Sequence, residues 1–289
     1  MFSNKIKTKH IFYFIFIILL FILLHATLFM SDKIDEQPLI RTINKDGYKV
    51  LKSIIDEESI EILQRNCNIG NYKYVKYHIM NNANVLHNIK QLLGNEYIFQ
   101  DYIWVIQKSK VHTCHRDNNG DFFNEGQKHP GYTILFYLES MEKCLGVIPT
   151  SHKTKNSYNT NFGNALVNVP CNKGDAILFN ANLIHVGTFN EKNDYLRVQM
   201  KLAHKDDIPV LMYYQNYNKI LKIENTIPRP ILRFQKNISC MFPAVSNWTQ
   251  NENIKSSRGS VEGAQISVFQ KIFSFLFYGN SDYYDLPNI

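Results

Sequence analysis

His115, Asp117 and His185 restrict what this chain can become more than its composition does. Two imidazoles and one carboxylate can hold a divalent metal on one side and leave its other positions open. Only a fold that returns a distant histidine to a local pair can assemble them. His115 and Asp117 are two apart, so on an extended strand both side chains leave from one face and reach one ion. His185 ends the apolar run Asp175-Ala-Ile-Leu-Phe-Asn, which reads as a buried strand opened by the turn residues Asn172, Lys173 and Gly174.

Arg197 adds a fourth element. In Tyr195-Leu-Arg-Val-Gln-Met-Lys-Leu-Ala, polar and apolar residues alternate. Arg197, Gln199 and Lys201 therefore share one strand face, and Val198, Met200 and Leu202 share the other. The turn-rich Asn190-Glu-Lys-Asn-Asp makes residues 176 to 203 a hairpin, with His185 and Arg197 near one end. A guanidinium there can clamp a carboxylate through two parallel hydrogen bonds.

From about residue 98 to residue 204 the chain resembles the Fe(II)- and 2-oxoglutarate-dependent dioxygenases, specifically their phytanoyl-CoA dioxygenase-like branch. The resemblance rests on His115-Arg-Asp117, on Gly146-Val-Ile-Pro-Thr-Ser-His152-Lys153, on Gly174-Asp175 leading to His185, and on Arg197. It implies His115, Asp117 and His185 as catalytic iron ligands and Arg197 as the anchor of the distal carboxylate of 2-oxoglutarate. It further implies ascorbate as an accessory reductant, and succinate and carbon dioxide as products. Two positions depart from the pattern. Thr150 stands where the branch's loop has Gly, and Gly187 stands where some members place a co-substrate-binding hydroxyl, which Thr188 beside it can supply. Because Asp117 is a carboxylate, no position is left open for a halide, and hydroxylation is expected over halogenation.

Residues 11–30 are almost unbroken apolar, and about 20 such residues match the hydrocarbon thickness of a bilayer. They are expected to form a transmembrane anchor. Lys5, Lys7 and Lys9 precede the run, while Asp32, Asp35 and Glu36 follow it. The positive-inside rule then places residues 1–10 in the cytosol and the catalytic part in a luminal or extracytoplasmic space. Asn237-Ile-Ser239 and Asn247-Trp-Thr249 are glycosylation acceptor patterns that fit this orientation. The five cysteines have no metal spacing and an odd count, so they disclose neither a zinc site nor a disulfide framework. Net charge is +7, but the lysines and arginines are scattered, so no nucleic-acid partner is expected.

After a tether (31–46), Tyr48-Lys-Val-Leu-Lys reads as a strand, and helices are expected from Asp56 and from Asn84, the second stopping at Gly94. Tyr97 to Gln107 and Tyr132 to Leu138 read as strands. Short strands separated by Gly, Pro and Asn turns indicate a β-rich (α+β) domain over 47–243, buttressed by N-terminal helices. The resemblance makes its core a double-stranded β-helix, or jelly roll. A polar linker (244–263) and a C-terminal amphipathic helix and tail (264–289) complete the chain.

The loops Asp121–Pro130 and Gly146–Phe162 are expected to select the substrate, in the classes small molecule, lipid-linked molecule or luminal protein. The competing class is a catalytically inactive, membrane-tethered jelly-roll module.

Overall fold

The computed structural model describes residues 2–25, 33–107, 113–117, 119–121, 124, 126–154, 166–190, 195–214, 216–221 and 227–242, with helical positions 268, 271, 272, 275 and 276. The linker 244–263, Asn247 and most of 264–289 lie outside these residues.

Helix α1 (Phe2–Leu24) carries the N-terminal apolar run, with Ile11 to Leu20 all exposed. Its wholly apolar part, Ile11–Leu24, rises only about 21 Å at 1.5 Å per residue, against a hydrocarbon core of about 30 Å. Among the described residues no helix is long and apolar enough to cross a membrane. The expected span of residues 11–30 is therefore not seen as such: its helix is described only as far as residue 25, and 26–30 lie outside the described residues.

From Lys33 the expected tether is instead packed onto the domain. Asp35 is buried and accepts from Arg41 (Nη2, 3.0 Å) and from the Tyr48 hydroxyl (2.5 Å), so its charge is compensated where water is excluded. Arg41 also bridges to Asp46 in the short α2 (Ile43–Asp46), which leads through Gly47 (φ +89°) into β1 (Tyr48–Leu51).

Three helices follow. Asp56 caps α3 (Glu57–Asn68) by accepting from the Ser59 amide, and Asn82 caps α5 (Ala83–Leu93) by accepting from the Val85 amide. Between them lies α4 (Tyr72–Met80), which the sequence reading leaves unassigned. Its Tyr74 and Tyr77 are exposed and blur the pattern, yet Tyr72, Val75 and Ile79 fall on one helical stripe and are the residues buried.

The remaining strands are β2 (Tyr97–Phe99), β3 (Tyr102–Ile106), β4 (Tyr132–Tyr137), β5 (Met141–Val147), β6 (Val167–Cys171), β7 (Ala176–Asn180), β8 (His185–Val186), β9 (Arg197–His204) and β10 (Tyr217–Leu221). They form two sheets. The larger runs β1-β7-β4-β9-β3-β10, with β2 also on β9, and the smaller runs β6-β5-β8. One face of the larger sheet packs Ile134, Phe136, Val198, Met200 and Leu202 against residues of α3 to α5 such as Ile60, Leu63, Val75 and Val85. Its other face meets the smaller sheet through Tyr48, Leu135, Tyr137, Ile177 and Phe179 with Leu145, Val147 and Val169. This is the expected β-rich sandwich with buttressing helices.

The expected hairpin over 176–203 is not formed. Strand β4 lies between β7 and β9, and β8 leaves for the smaller sheet. His185 and Arg197 therefore sit on opposite walls of the sandwich.

Helix α6 (Arg229–Met241) is tied to the segment before β4 by a Cys114–Cys240 disulfide across 126 positions. On this helix Asn237 and Ser239 are buried, and the Ser239 hydroxyl accepts from the Cys114 amide. The first acceptor pattern, at Asn237, thus lies in the protein interior.

Candidate metal centre

The centre begins with backbone pairing. His115 and His185 face each other in an antiparallel bridge, each amide donating to the other's carbonyl at 2.9 Å. Two positions on, the Asp117 amide donates to the Ala181 carbonyl at 2.9 Å. Residues 115–117 thus lie along 181–185 in extended form, though only the single bridge is regular. That register explains why an alternate pair and a distant histidine converge: the imidazole centroids are 4.2 Å apart. The turn carrying 181–185 is close-packed, and a Cβ on Gly120 would meet Asn182 Oδ1 at 2.2 Å.

Each imidazole is oriented by a carbonyl two residues back. His115 Nδ1 is 2.9 Å from the Thr113 carbonyl, and His185 Nδ1 is 3.0 Å from that of Leu183. A carbonyl can only accept, so Nδ1 carries the proton in both rings and Nε2 is left as the lone-pair donor. Both Nε2 atoms turn to the same carboxylate oxygen, Asp117 Oδ1, at 3.8 and 3.6 Å. One ligand atom from each of the three residues lies within 4.8 Å of the others. These donors suit Fe(II), whose usual protein set in non-haem oxygenases is two histidines and one carboxylate.

The other oxygen of Asp117 is already engaged. Oδ2 accepts from the Thr133 hydroxyl (2.5 Å) and from the Lys201 ammonium, which also reaches Thr133 Oγ1 (2.9 Å) and Asn119 Oδ1 (3.2 Å). Thr133 and Lys201 are direct partners across β4 and β9. The carboxylate is thereby split, with one oxygen held by protein and one turned to the histidines. Sequence reasoning placed Lys201 on the face of Arg197 but gave it no role. Its signal was a lysine in an otherwise buried strand.

Burial opposes ionisation of Asp117, but the Lys201 charge, with His185 and His115 beside it, holds the carboxyl well below its ordinary range. Burial also lowers His115, and burial together with the His115 ring pushes His185 down to about 3. Both rings are therefore neutral, as ligation requires. Between about 3 and the ordinary histidine value of about 6.5, the unfolded chain binds a proton at His185 that the fold refuses. Stability of the metal-free protein should accordingly be complete above about pH 6.5 and decline as pH falls towards 3. Thermal melts across that range check it: His185→Gln should flatten the decline, and an unchanged slope would reject this origin.

Arg197 is buried and faces the sandwich interior, across from Tyr137 on β4 and Ile106 on β3. Its charge acts on the enclosed Tyr137 hydroxyl, which burial pushes well above the ordinary phenol value while Arg197 pulls it down. Its strand is not the neighbour of the His185 strand. Thr188 is buried beside β5. Its hydroxyl donates to the Lys143 carbonyl and accepts from Asn190 Nδ2 (3.3 Å), so it braces β5 from within the protein.

Arg116, between the two ligands, is buried and donates to the carbonyls of Ser151 (2.9 Å), Thr154 (3.1 Å) and Asn182. It thereby fixes the Gly146–Lys153 loop against the metal-binding segment. In that loop Thr150 has φ +68°, a conformation costly for a β-branched residue, which is a physical reason for the branch's glycine there. A cavity of about 580 Å³, lined by Glu36, Val50, Lys52, Met141 and Cys171, opens at the Met141 end of β5, whereas His185 pairs with its Val147 end.

A family model described as phytanoyl-CoA dioxygenase matches residues 52–197, half of the chain. No curated protein matches. Similar solved structures include the epimerase SnoN in complex with Fe3+, alpha ketoglutarate and nogalamycin RO, at TM-score 0.47 and 14% identity over 57% of this chain and 82% of that one. Another is HygX from Streptomyces hygroscopicus with nickel and 2-oxoglutarate bound, at TM-score 0.46 and 15% identity over 56% and 84%. The family match runs from the end of β1 to Arg197 and encloses all three converging donors. The chain belongs to the phytanoyl-CoA dioxygenase family of non-haem iron, 2-oxoglutarate-dependent enzymes.

Proposed function

We propose that this protein hydroxylates a small-molecule, lipid-linked or luminal protein substrate at an Fe(II) centre made by His115, Asp117 and His185, with Arg197 anchoring 2-oxoglutarate. The observation that carries the reading is the divided Asp117 carboxylate. One oxygen is held by Lys201 and Thr133, and the other faces two bare imidazole nitrogens at 3.6 and 3.8 Å. Iron with 2-oxoglutarate supplies oxygen activation coupled to oxidative decarboxylation, releasing succinate and carbon dioxide.

The chain's own part is placement. Thr113 and Leu183 hold the imidazoles in the ligating tautomer through their carbonyls. Lys201 and Thr133 fix the carboxylate, so it has no freedom to turn away on reduction or solvent entry. Arg197, enclosed opposite Tyr137, offers a planar fork to the far carboxylate of the co-substrate. Arg116 secures the 151–154 segment that borders the substrate side. Ascorbate remains the proposed accessory reductant.

Arg197→Lys tests the co-substrate assignment, because lysine keeps the charge but loses the fork. One charge-assisted hydrogen bond is worth about 1.5–3 kcal/mol, so the 2-oxoglutarate KM should rise roughly 10- to 100-fold. Fe(II) affinity should barely change. Succinate formation at varied 2-oxoglutarate measures this, and an unchanged KM would remove Arg197 from the role.

The proposed location is a membrane with the catalytic domain on its luminal side. Its supports are the exposed apolar face of α1, the lysines before it, and a disulfide of the kind that persists in oxidising compartments. In sealed vesicles the domain should resist added protease and stay with the membrane after alkaline extraction. Release into the soluble fraction would reject the anchor.

A further inference from the structure

Among the described residues a second group of donors converges away from the iron centre: His129, His204 and Asp206, each with one ligand atom within 4.8 Å of the others. His129 lies in the loop entering β4, His204 closes β9, and Asp206 is in the 3-10 segment that follows (Lys205–Tyr214). Two pieces of chain, the loop before β4 and the end of β9 with the segment after it, thus meet at the loop expected to border the substrate.

Their surroundings resemble a prepared ligand set. Asp207 is buried and its carboxylate accepts from the amides of Lys128 (2.9 Å) and His129 (2.8 Å) and from His129 Nδ1 (3.1 Å). A histidine donating one ring nitrogen to a carboxylate presents the other as a strengthened metal ligand. His204 stacks on His129, with centroids 3.7 Å apart and planes 18° from parallel, and its far side meets Tyr97 edge-on. His204 Nδ1 lies 3.5 Å from Asp206 Oδ2 and accepts from the Asp206 amide (3.3 Å), a hydrogen bond that an ion at that nitrogen would displace. The rings are near-parallel, so converging on one ion needs one of them to tilt. His129 is pinned by Asp207, which leaves His204 and the exposed Asp206 to adjust.

We propose that His129, His204 and Asp206 form a second divalent-metal site, distinct from the iron centre and suited to a borderline ion such as Zn2+. Two nitrogens and one exposed carboxylate leave the remaining coordination to water. The site would clasp the 126–131 loop to the end of β9. Gln127 in that loop donates to the Asn119 carbonyl (3.3 Å), and Asn119 Oδ1 accepts from Lys201, so the clasp stands one layer behind the Asp117 carboxylate.

Calorimetric titration of the untagged full chain with Zn2+ tests this. The wild type should bind two equivalents. His185→Ala should lose one and keep the other, whereas His129→Gln/His204→Gln should lose the one that His185→Ala keeps. Asp207→Asn, which retains all three donors, should weaken the second site about 10- to 100-fold. It guards against a double variant that fails to fold, checked by circular dichroism. A single wild-type equivalent abolished by His185→Ala, or a second equivalent indifferent to both histidine and Asp207 changes, would overturn the site.

Discussion

Asp117→Ala should abolish Fe(II)-dependent turnover and, separately, destabilise the fold by about 3–5 kcal/mol, the usual result of removing one partner from a buried ion pair. The second effect comes from Lys201. Its side chain is almost fully buried, and its ammonium is bonded to Asp117, Thr133 and Asn119. Removing the carboxylate leaves a cation in a low-dielectric interior with only neutral acceptors. Asp117→Ala/Lys201→Met should therefore regain most of the lost stability while remaining inactive, because a methionine of similar length buries an apolar stem without a charge. Thermal unfolding and succinate formation on the two variants separate the roles. If Asp117→Ala alone melts like the wild type, Lys201 is not held by that carboxylate.

Breaking the Cys114–Cys240 bond should cost about 2–5 kcal/mol, since cross-links closing long loops restrict the unfolded chain most. The bond joins positions 126 apart and encloses strands β4 to β10, with the whole smaller sheet and all the proposed ligands. It also fixes α6 behind the metal-binding segment, where Ser239 Oγ accepts from the Cys114 amide at 2.8 Å. Cys114 is the immediate neighbour of His115, so Cys114→Ala/Cys240→Ala should lower iron affinity as well as the melting temperature. The other cysteines, Cys67, Cys144 and Cys171, take part in no disulfide and are buried, so a reductant-sensitive melt reports this bond. A melt indifferent to reductant in the wild type would contradict the prediction.

Much of the site was legible because its chemistry is local or periodic. His115 and Asp117 declare themselves by a two-residue spacing, and the alternation from Arg197 to Leu202 matches the observed burial, with Val198, Met200 and Leu202 against the helices. Pairing across the chain was not legible. The turn-rich 190–194 segment looks like a hairpin loop, but two adjacent strands by pattern need not pair, and β4 came between them. Lys201 illustrates the same limit: periodicity gives its face, while its partner is set by the register with Thr133. The disulfide was hidden because sequence separation says nothing of spatial distance, and α4 because its exposed Tyr74 and Tyr77 blur the apolar stripe of Tyr72, Val75 and Ile79. Thr188 shows that a hydroxyl at a suggestive position is readily consumed by a nearby carbonyl.

The account stands on one claim: that His115, Asp117 and His185 hold catalytic iron and that 2-oxoglutarate is consumed there. The most direct test is substrate-free conversion of 2-oxoglutarate to succinate by the full chain, with and without Fe(II), beside a folded His185→Ala variant. The account predicts succinate that requires Fe(II) in the wild type and none above background in the variant. A folded, iron-supplied wild type that makes no succinate, or a His185→Ala protein that makes as much, would contradict it and leave an inactive jelly-roll module as the reading.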